Sequence, residues 1–379
     1  MNFSKLLEFQ DYLASWRIPG NDCSVYKDGV EVYRHMAGYS DVERRLKICG
    51  SELYFFWSAS KMITTSLALR LFEEDRFKMN DPLCEYIPEF RDMKVRVNTR
   101  GKEEVVTATR KIKIRHLFNM TAGLDYNFNT SHINALRKST NNKCTATDVA
   151  REIAKSPLAY EPGTHYNYSL CHDVLGAFIE VITGKRLRDY AREALFSPLD
   201  MTDTSYNLPS ASKMQRMAVQ YIWRDDLGKY IPTQSTCNHI LGSEYDSGGA
   251  GIISTCDDFI KFASCIACGG TANNGYRYLS PSTIDLWRTN TLTAEQIERD
   301  FKWSQLKGYG YGYGVRTMLF PDKCGALSSI GEFGWDGAGG VTVIIDTERK
   351  LALVYTQHML ESQQEYFFPK LRDALYASI

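Results

Sequence analysis

A serine and a lysine three residues apart can share one face of a helix, close enough for the amine to meet the hydroxyl. If burial strips that amine of part of its hydration, it can accept the hydroxyl proton and make the serine a nucleophile for acyl transfer. This S-x-x-K spacing occurs four times: Ser24 to Lys27, Ser58 to Lys61, Ser210 to Lys213 and Ser304 to Lys307. The string SASKM is repeated, at 58–62 and 210–214. Local context separates the four. Ser24 lies on an expected strand, where i and i+3 point to opposite faces. Ser304 runs into the Gly308-Tyr-Gly repeat with no helix to sit on. Ser210 follows Leu208-Pro209 and has polar neighbours in Lys213, Gln215 and Arg216, so it reads as the cap of an exposed helix. Only Ser58 stands between an aromatic strand end, Leu53 to Trp57, and an apolar helix, Met62 to Phe72. A buried helix N-terminus there offers backbone N–H groups to a developing oxyanion. On pattern alone Ser58 is either that nucleophile or an ordinary helix cap.

Five further segments follow in order. They are IKIRHLFNMTAGL (112–124), EPGTHYNYSL (161–170), LFSPLDMTDT (195–204), SGGAGIIST (247–255) and FGWDGAGG (333–340). Together with Ser58-Ala-Ser-Lys61 they resemble the serine β-lactamase and penicillin-binding-protein superfamily. The similarity runs from about Val25 to Gln357 and is strongest to the branch of class C β-lactamases, D-aminopeptidases, carboxylesterases and acyltransferases. The resemblance implies that Tyr168 assists proton transfer, with Tyr166 as the alternative. It also implies an oxyanion hole made by the N–H groups of Ser58 and Ala338. In the family's Y-x-N triplet the third residue is asparagine, whereas Leu170 stands here. Where β-lactamases carry Lys-Thr-Gly to hold a substrate carboxylate, this chain has Trp335-Asp336-Gly337. An indole pairs with no anion. An Asp336 facing the site would repel one, by roughly 4 kcal/mol for charges about 4 Å apart near a surface, or would suit a cationic substrate.

The expectation is therefore a serine hydrolase, esterase or transacylase, working through an acyl-Ser58 intermediate on a small-molecule substrate. β-Lactamase, DD-peptidase or D-aminopeptidase activity on peptide-like substrates is the alternative, and a non-catalytic binding module on the same scaffold is another. Trp335, Asp336, Gly337, Tyr126, Tyr245 and Tyr311 are the expected substrate contacts. No metal or cofactor is called for. The histidines are not needed for this chemistry: His116 is expected to make a structural hydrogen bond, while His165 and His172 flank Tyr168 and could tune it. The chain has no G-x-S-x-G pentapeptide, which disfavours an α/β-hydrolase. Cys265-Ile-Ala-Cys268 has no second pair at metal spacing and reads as two core-facing thiols. The run GYGYGYGVR (308–316) lacks G-K-[ST], and its alternation predicts a strand beside the pocket.

Elements must hold these groups. Residues 3–13 have the spacing of an amphipathic helix, and SVYKDGVEVYRHMAGYSD reads as a hairpin turning at Asp28-Gly29. Gly340-VTVIID and LALVYTQ form a second hairpin, followed by a helix from about Glu361 to Ala377. Strands at both ends with helices between predict an α/β (α+β) architecture. Its antiparallel sheet domain is built from residues 1–75 and 205–379, a mainly helical domain (76–204) is inserted, and the site lies between them. The 379 residues are 44% hydrophobic, enough for a large core. Forty-five basic residues balance forty-five acidic ones, which gives no support to nucleic-acid or membrane partners. With no secretory signal and no apolar run of membrane length, a soluble cytoplasmic protein with its ten cysteines as thiols is expected. Oligomeric state is not legible.

Overall fold

The computed structural model describes every residue except Arg100, Pro209, Ser235, Thr236 and Asn238. Its centre is an eight-stranded antiparallel sheet in the order 309–311, 316–318, 333–336, 342–346, 351–357, 20–27, 30–41, 46–47. The two chain ends meet in the middle of it. Gly20–Lys27 pairs with Leu351–Gln357, from Asn21 opposite Gln357 to Lys27 opposite Leu351. The first hairpin turns where Asp28 (φ 52°) and Gly29 (φ 79°) both adopt left-handed backbone, the geometry that matches strand twist.

Every residue of Leu351–Gln357 is buried, because helices cover both faces. On one face lie Ser4–Trp16 and Gln364–Tyr376, joined by Trp16 on Tyr366 (centroids 4.6 Å apart). Phe367 of the second meets Tyr355 of the strand at 5.2 Å. On the other lies Cys256–Ala267, started by Thr255 accepting from the Asp258 N–H, with Phe259 stacked on Phe56 at 4.5 Å. Cys265 is buried in that helix, and all ten cysteines are free.

The helix Ser60–Glu73 sits deeper, buried along most of its length, and packs against the equally buried Cys171–Thr183. A short sheet ties the region together: Tyr54–Phe55 and Ser205–Tyr206 flank Ile252–Ser254. Among residues 76–204 the structure also has a hairpin, Lys94–Thr99 with Lys102–Thr107, which the helical reading of that stretch did not include.

The 308–316 run is not one strand. Only Tyr309–Tyr311 is extended; the chain then turns through Gly312 to Gly314 and returns as Arg316–Met318. Gly314 has φ +92°, and a Cβ there would lie 2.5 Å from Thr65 and 2.8 Å from His172. Alternation alone could not see that a glycine this close to two helices would bend the chain.

Ser24 is on a strand, and Ser304–Leu306 is a single 3-10 turn. Ser210 precedes the exposed one-turn helix Ala211–Met214; its hydroxyl meets Ser212 instead of capping the turn. The preceding Pro209 lies outside the described residues.

Candidate active site

Ser58 sits in a 3-10 turn, Trp57–Ala59, that feeds directly into Ser60–Glu73. Trp57 before it is held at φ +46°, a conformation a bulky side chain adopts only when its surroundings enforce it. The enforcement is visible on both sides. Ala59 N–H donates to Phe56 O, and the buried Ser60 hydroxyl accepts from Ile252 N–H at 2.9 Å. Strain at this turn presents the Ser58 side chain to a cavity of about 570 Å³.

Lys61, one turn on, is fully buried. Its Nζ donates to Ser58 Oγ at 3.1 Å and to Gly249 O at 2.8 Å. The ammonium position also lies 4.6 Å from the Tyr168 ring centre and 5.7 Å from that of Tyr126. Behind Gly249 stands the buried Asp173. Its Oδ1 accepts from Tyr245 Oη (2.9 Å), Ser247 Oγ (2.6 Å) and Gly249 N–H (3.3 Å). A Cβ on Gly249 would come within 2.5 Å of Asp173 Oδ2 and 3.5 Å of Lys61 Nζ, so only glycine fits between them.

Tyr168 and Tyr126 stack with centroids 5.6 Å apart and planes 7° from parallel. Trp335 also packs on Tyr168 at 5.7 Å, and its Nε1 donates to Tyr168 Oη at 3.2 Å. Burial raises the Tyr126 phenol well above 10, neighbouring Tyr168, Asp173 and Cys237 push the same way, and the Ser58 hydroxyl pulls against them. The opposite rim is the end of the Phe333–Asp336 strand. Gly337 presses so close to the turn that carries Ser58 that a Cβ would lie 2.3 Å from Phe56 O. Ala338 is exposed in the cavity wall, and no acceptor among the described residues takes its N–H.

Four expectations change. Asp336 borders the cavity with Trp335 and Gly337, but its carboxylate turns to Arg316: Oδ2 lies 2.9 Å from the fully buried Nη1, and the guanidinium rests 4.3 Å from the Phe368 ring. The charge expected beside Ser58 is therefore an Asp336–Arg316 ion pair rather than a lone carboxylate. Burial raises its carboxyl pKa and Arg316 opposes. Tyr245 is spent on Asp173 and Tyr311 is fully buried behind Trp335 (5.2 Å, edge to face); neither lines the cavity. Tyr166 is buried against Phe301 and Tyr311, which removes it as the alternative to Tyr168. His165 and His172 do not tune Tyr168 by contact: one meets Asp300, the other the Phe118 carbonyl. His116 Nδ1 accepts from the Lys113 N–H, a structural bond.

The cavity wall adds Trp57, Trp303, Gln305, Leu306, Leu360, Gln364 and His239. His239 packs edge-on against Trp57, Tyr126 and Phe128, and burial lowers its pKa to about 4. Nothing in its sequence surroundings marks it. Among the described residues no group of three His, Cys, Asp or Glu side chains could hold a metal, and no helix is long and apolar enough to cross a membrane.

A family model described as Beta-lactamase matches residues 8–377. The chain belongs to the beta-lactamase family. Esterase EstB of Burkholderia gladioli is 27% identical over 395 residues, covering 97% of this chain and 93% of EstB. Protein Rv1367c of Mycobacterium tuberculosis is 29% identical over 324 residues, covering 84% and 80%. Among solved structures, simvastatin synthase LovD from Aspergillus terreus superposes with a TM-score of 0.81 at 20% identity, over 100% of this chain and 98% of LovD. EstCE1, described as a hydrolase with promiscuous acyltransferase activity, gives 0.79 at 22% identity, over 98% and 97%. This beta-lactamase-family protein thus has the β-lactamase/transpeptidase fold.

Proposed function

We propose that this protein is a serine esterase or transacylase acting through an acyl-Ser58 intermediate. The observation that carries the reading is the 3.1 Å contact between Lys61 Nζ and Ser58 Oγ at the floor of an aromatic cleft. No Lys or Arg is among the described lining residues to hold a substrate carboxylate beside the nucleophile. The kinship with an esterase and the fold shared with acyltransferases support it.

In this mechanism Ser58 Oγ attacks the ester carbonyl carbon while its proton passes to the Lys61–Tyr168 pair. The carbonyl oxygen gathers charge and is met by the N–H groups of Ser58 and Ala338. The intermediate collapses, the C–O bond to the alcohol breaks, and Tyr168 returns a proton to the leaving oxygen. Water or a second alcohol then attacks the acyl-enzyme by the same route in reverse. Gly337 lets the strand edge approach closely enough for the Ala338 N–H to take part.

The test is mass spectrometry of the protein after brief exposure to 4-nitrophenyl butyrate. A butyryl increment on the peptide containing Ser58 is expected, and both adduct and turnover vanish in Ser58→Ala. An adduct elsewhere, or turnover that survives the substitution, rules the reading out. Nitrocefin as a parallel substrate separates it from a β-lactamase.

A further inference from the structure

A second cavity, of about 510 Å³, adjoins the first and shares Tyr126 and His239 with it. The remainder of its wall includes Phe128, Asn127, Asn129 and Arg137. Its frame is well fixed. Asn142 accepts from Arg137 Nε at 3.1 Å, donates its N–H to Arg137 O at 2.8 Å, and packs its own carbonyl so tightly on Gly242 that no Cβ fits there. Gly242 O in turn accepts from Asn207 Nδ2 at 2.8 Å. Phe128 stands edge-on to His239 at 5.3 Å and to Tyr245 at 6.0 Å.

The charge inventory is one-sided. Arg137 is half-buried on the helix Ser131–Ser139, and among the described residues it has no carboxylate partner, only Asn142 on Nε. No Asp or Glu is among the described lining residues, and His239 is neutral near pH 7 because burial holds its pKa to about 4. A guanidinium whose Nη groups have no hydrogen-bond partner among the described residues, amide side chains beside it and aromatic rings leading to it from Ser58 make a receptor for a planar anion. It is also set apart from Ser58 by the Tyr126–His239 pair, whose rings are 5.3 Å apart.

We propose that this cavity is a second substrate subsite, in which Arg137 pairs with a carboxylate on the part of the ester remote from the scissile carbonyl. The proposal rests on the acyl-Ser58 reading and extends it: the preferred substrate is an ester with an apolar body crossing Tyr126 and an anionic end. Such a ligand needs no cation beside Ser58. The anion sits in the other chamber, which is why the first can be lined by Trp335, Tyr168 and Trp303 without cost to recognition.

Two pairs of esters test it and tell which side of the ester carries the anion. One pair places it on the acyl side, 4-nitrophenyl hydrogen glutarate against 4-nitrophenyl butyrate. The other places it on the alcohol side, 4-acetoxybenzoate against its methyl ester. The wild-type protein is expected to favour the anionic member of one pair in kcat/KM. Arg137→Gln should shrink that preference about 10-fold, mostly through KM, and Arg137→Lys should retain an intermediate preference. A melting profile of each variant separates loss of recognition from loss of fold. A wild-type protein without anionic preference in either pair, or a preference that Arg137→Gln leaves intact, overturns the subsite while the acyl-Ser58 chemistry stands. Failure of the wild type on both neutral esters and both anionic ones overturns the acyl-Ser58 reading, and the subsite with it.

Discussion

Tyr168 is the residue whose surroundings explain most. Trp335 donates to its oxygen, a second ring stacks on one face and the lysine amine lies 4.6 Å from its centre. A phenol so held can relay a proton without moving, whereas a phenyl ring keeps the stack and loses the relay. Tyr168→Phe should therefore lower kcat on 4-nitrophenyl butyrate by about 100-fold or more, the usual scale of general acid–base assistance, with little change in melting temperature. An undiminished kcat would mean that another group, Tyr126 first among them, carries the proton. Asp336 holds the complementary lesson. Neighbours on a strand point opposite ways, so beside a Trp335 turned to Tyr168 the Asp336 carboxylate turns to Arg316, while the residue still borders the cavity. That was legible in the spacing. What the spacing could not supply was the partner, 20 residues away on the adjoining strand.

At the scale of elements, the turns decide the site. Asp28-Gly29 announced the first hairpin because its residue types match the backbone they adopt. Trp57 gave no such signal: a tryptophan at φ +46° is the least expected choice, and tertiary packing alone imposes it. The Gly312–Gly314 turn falls between these cases. It braces Thr65, whose hydroxyl bonds the Lys61 carbonyl at 2.8 Å, so it supports the lysine from behind. Gly314→Ala adds left-handed strain and a methyl group where Thr65 and His172 already stand. We predict a loss of about 2–4 kcal/mol in unfolding free energy together with a reduced kcat. Urea unfolding and steady-state kinetics on the same preparation check both halves. Full stability would mean that the turn tolerates a side chain and that its closeness to Thr65 is incidental.

For the molecule as a whole, the central sheet encloses titratable groups that link its stability to pH. Asp22 is buried between the chain ends, and desolvation raises its pKa to about 7 although Arg34 lies 2.7 Å away. The folded value exceeds the unfolded one, near 4, so the protonated form favours folding; that contribution is complete in acid and is lost as pH rises through 7. The shift corresponds to about 4 kcal/mol at most. Relative to the wild type, Asp22→Asn should gain stability between pH 5 and pH 8, because the amide never has to ionise. Paired thermal melts at the two pH values measure the gain, and a difference independent of pH would contradict the raised pKa. The architecture itself was readable from hairpins at both ends and helices between. The second cavity was not, since its walls come from residues 126–137 and from a loop around residue 240, which no periodicity joins.

The pairing of Gly20–Lys27 with Leu351–Gln357 also has a temporal consequence. A chain leaving the ribosome presents its first strand early but must wait more than 300 residues for the neighbour on its other edge. The deep helices can pack meanwhile, with Lys61 already on one of them and Ser58 on the turn that leads into it. The rim bearing Trp335 and Ala338 comes more than 270 residues after Ser58, so the cleft is closed late. Until that rim arrives, Ser58 and Lys61 stand without the Ala338 N–H beside them.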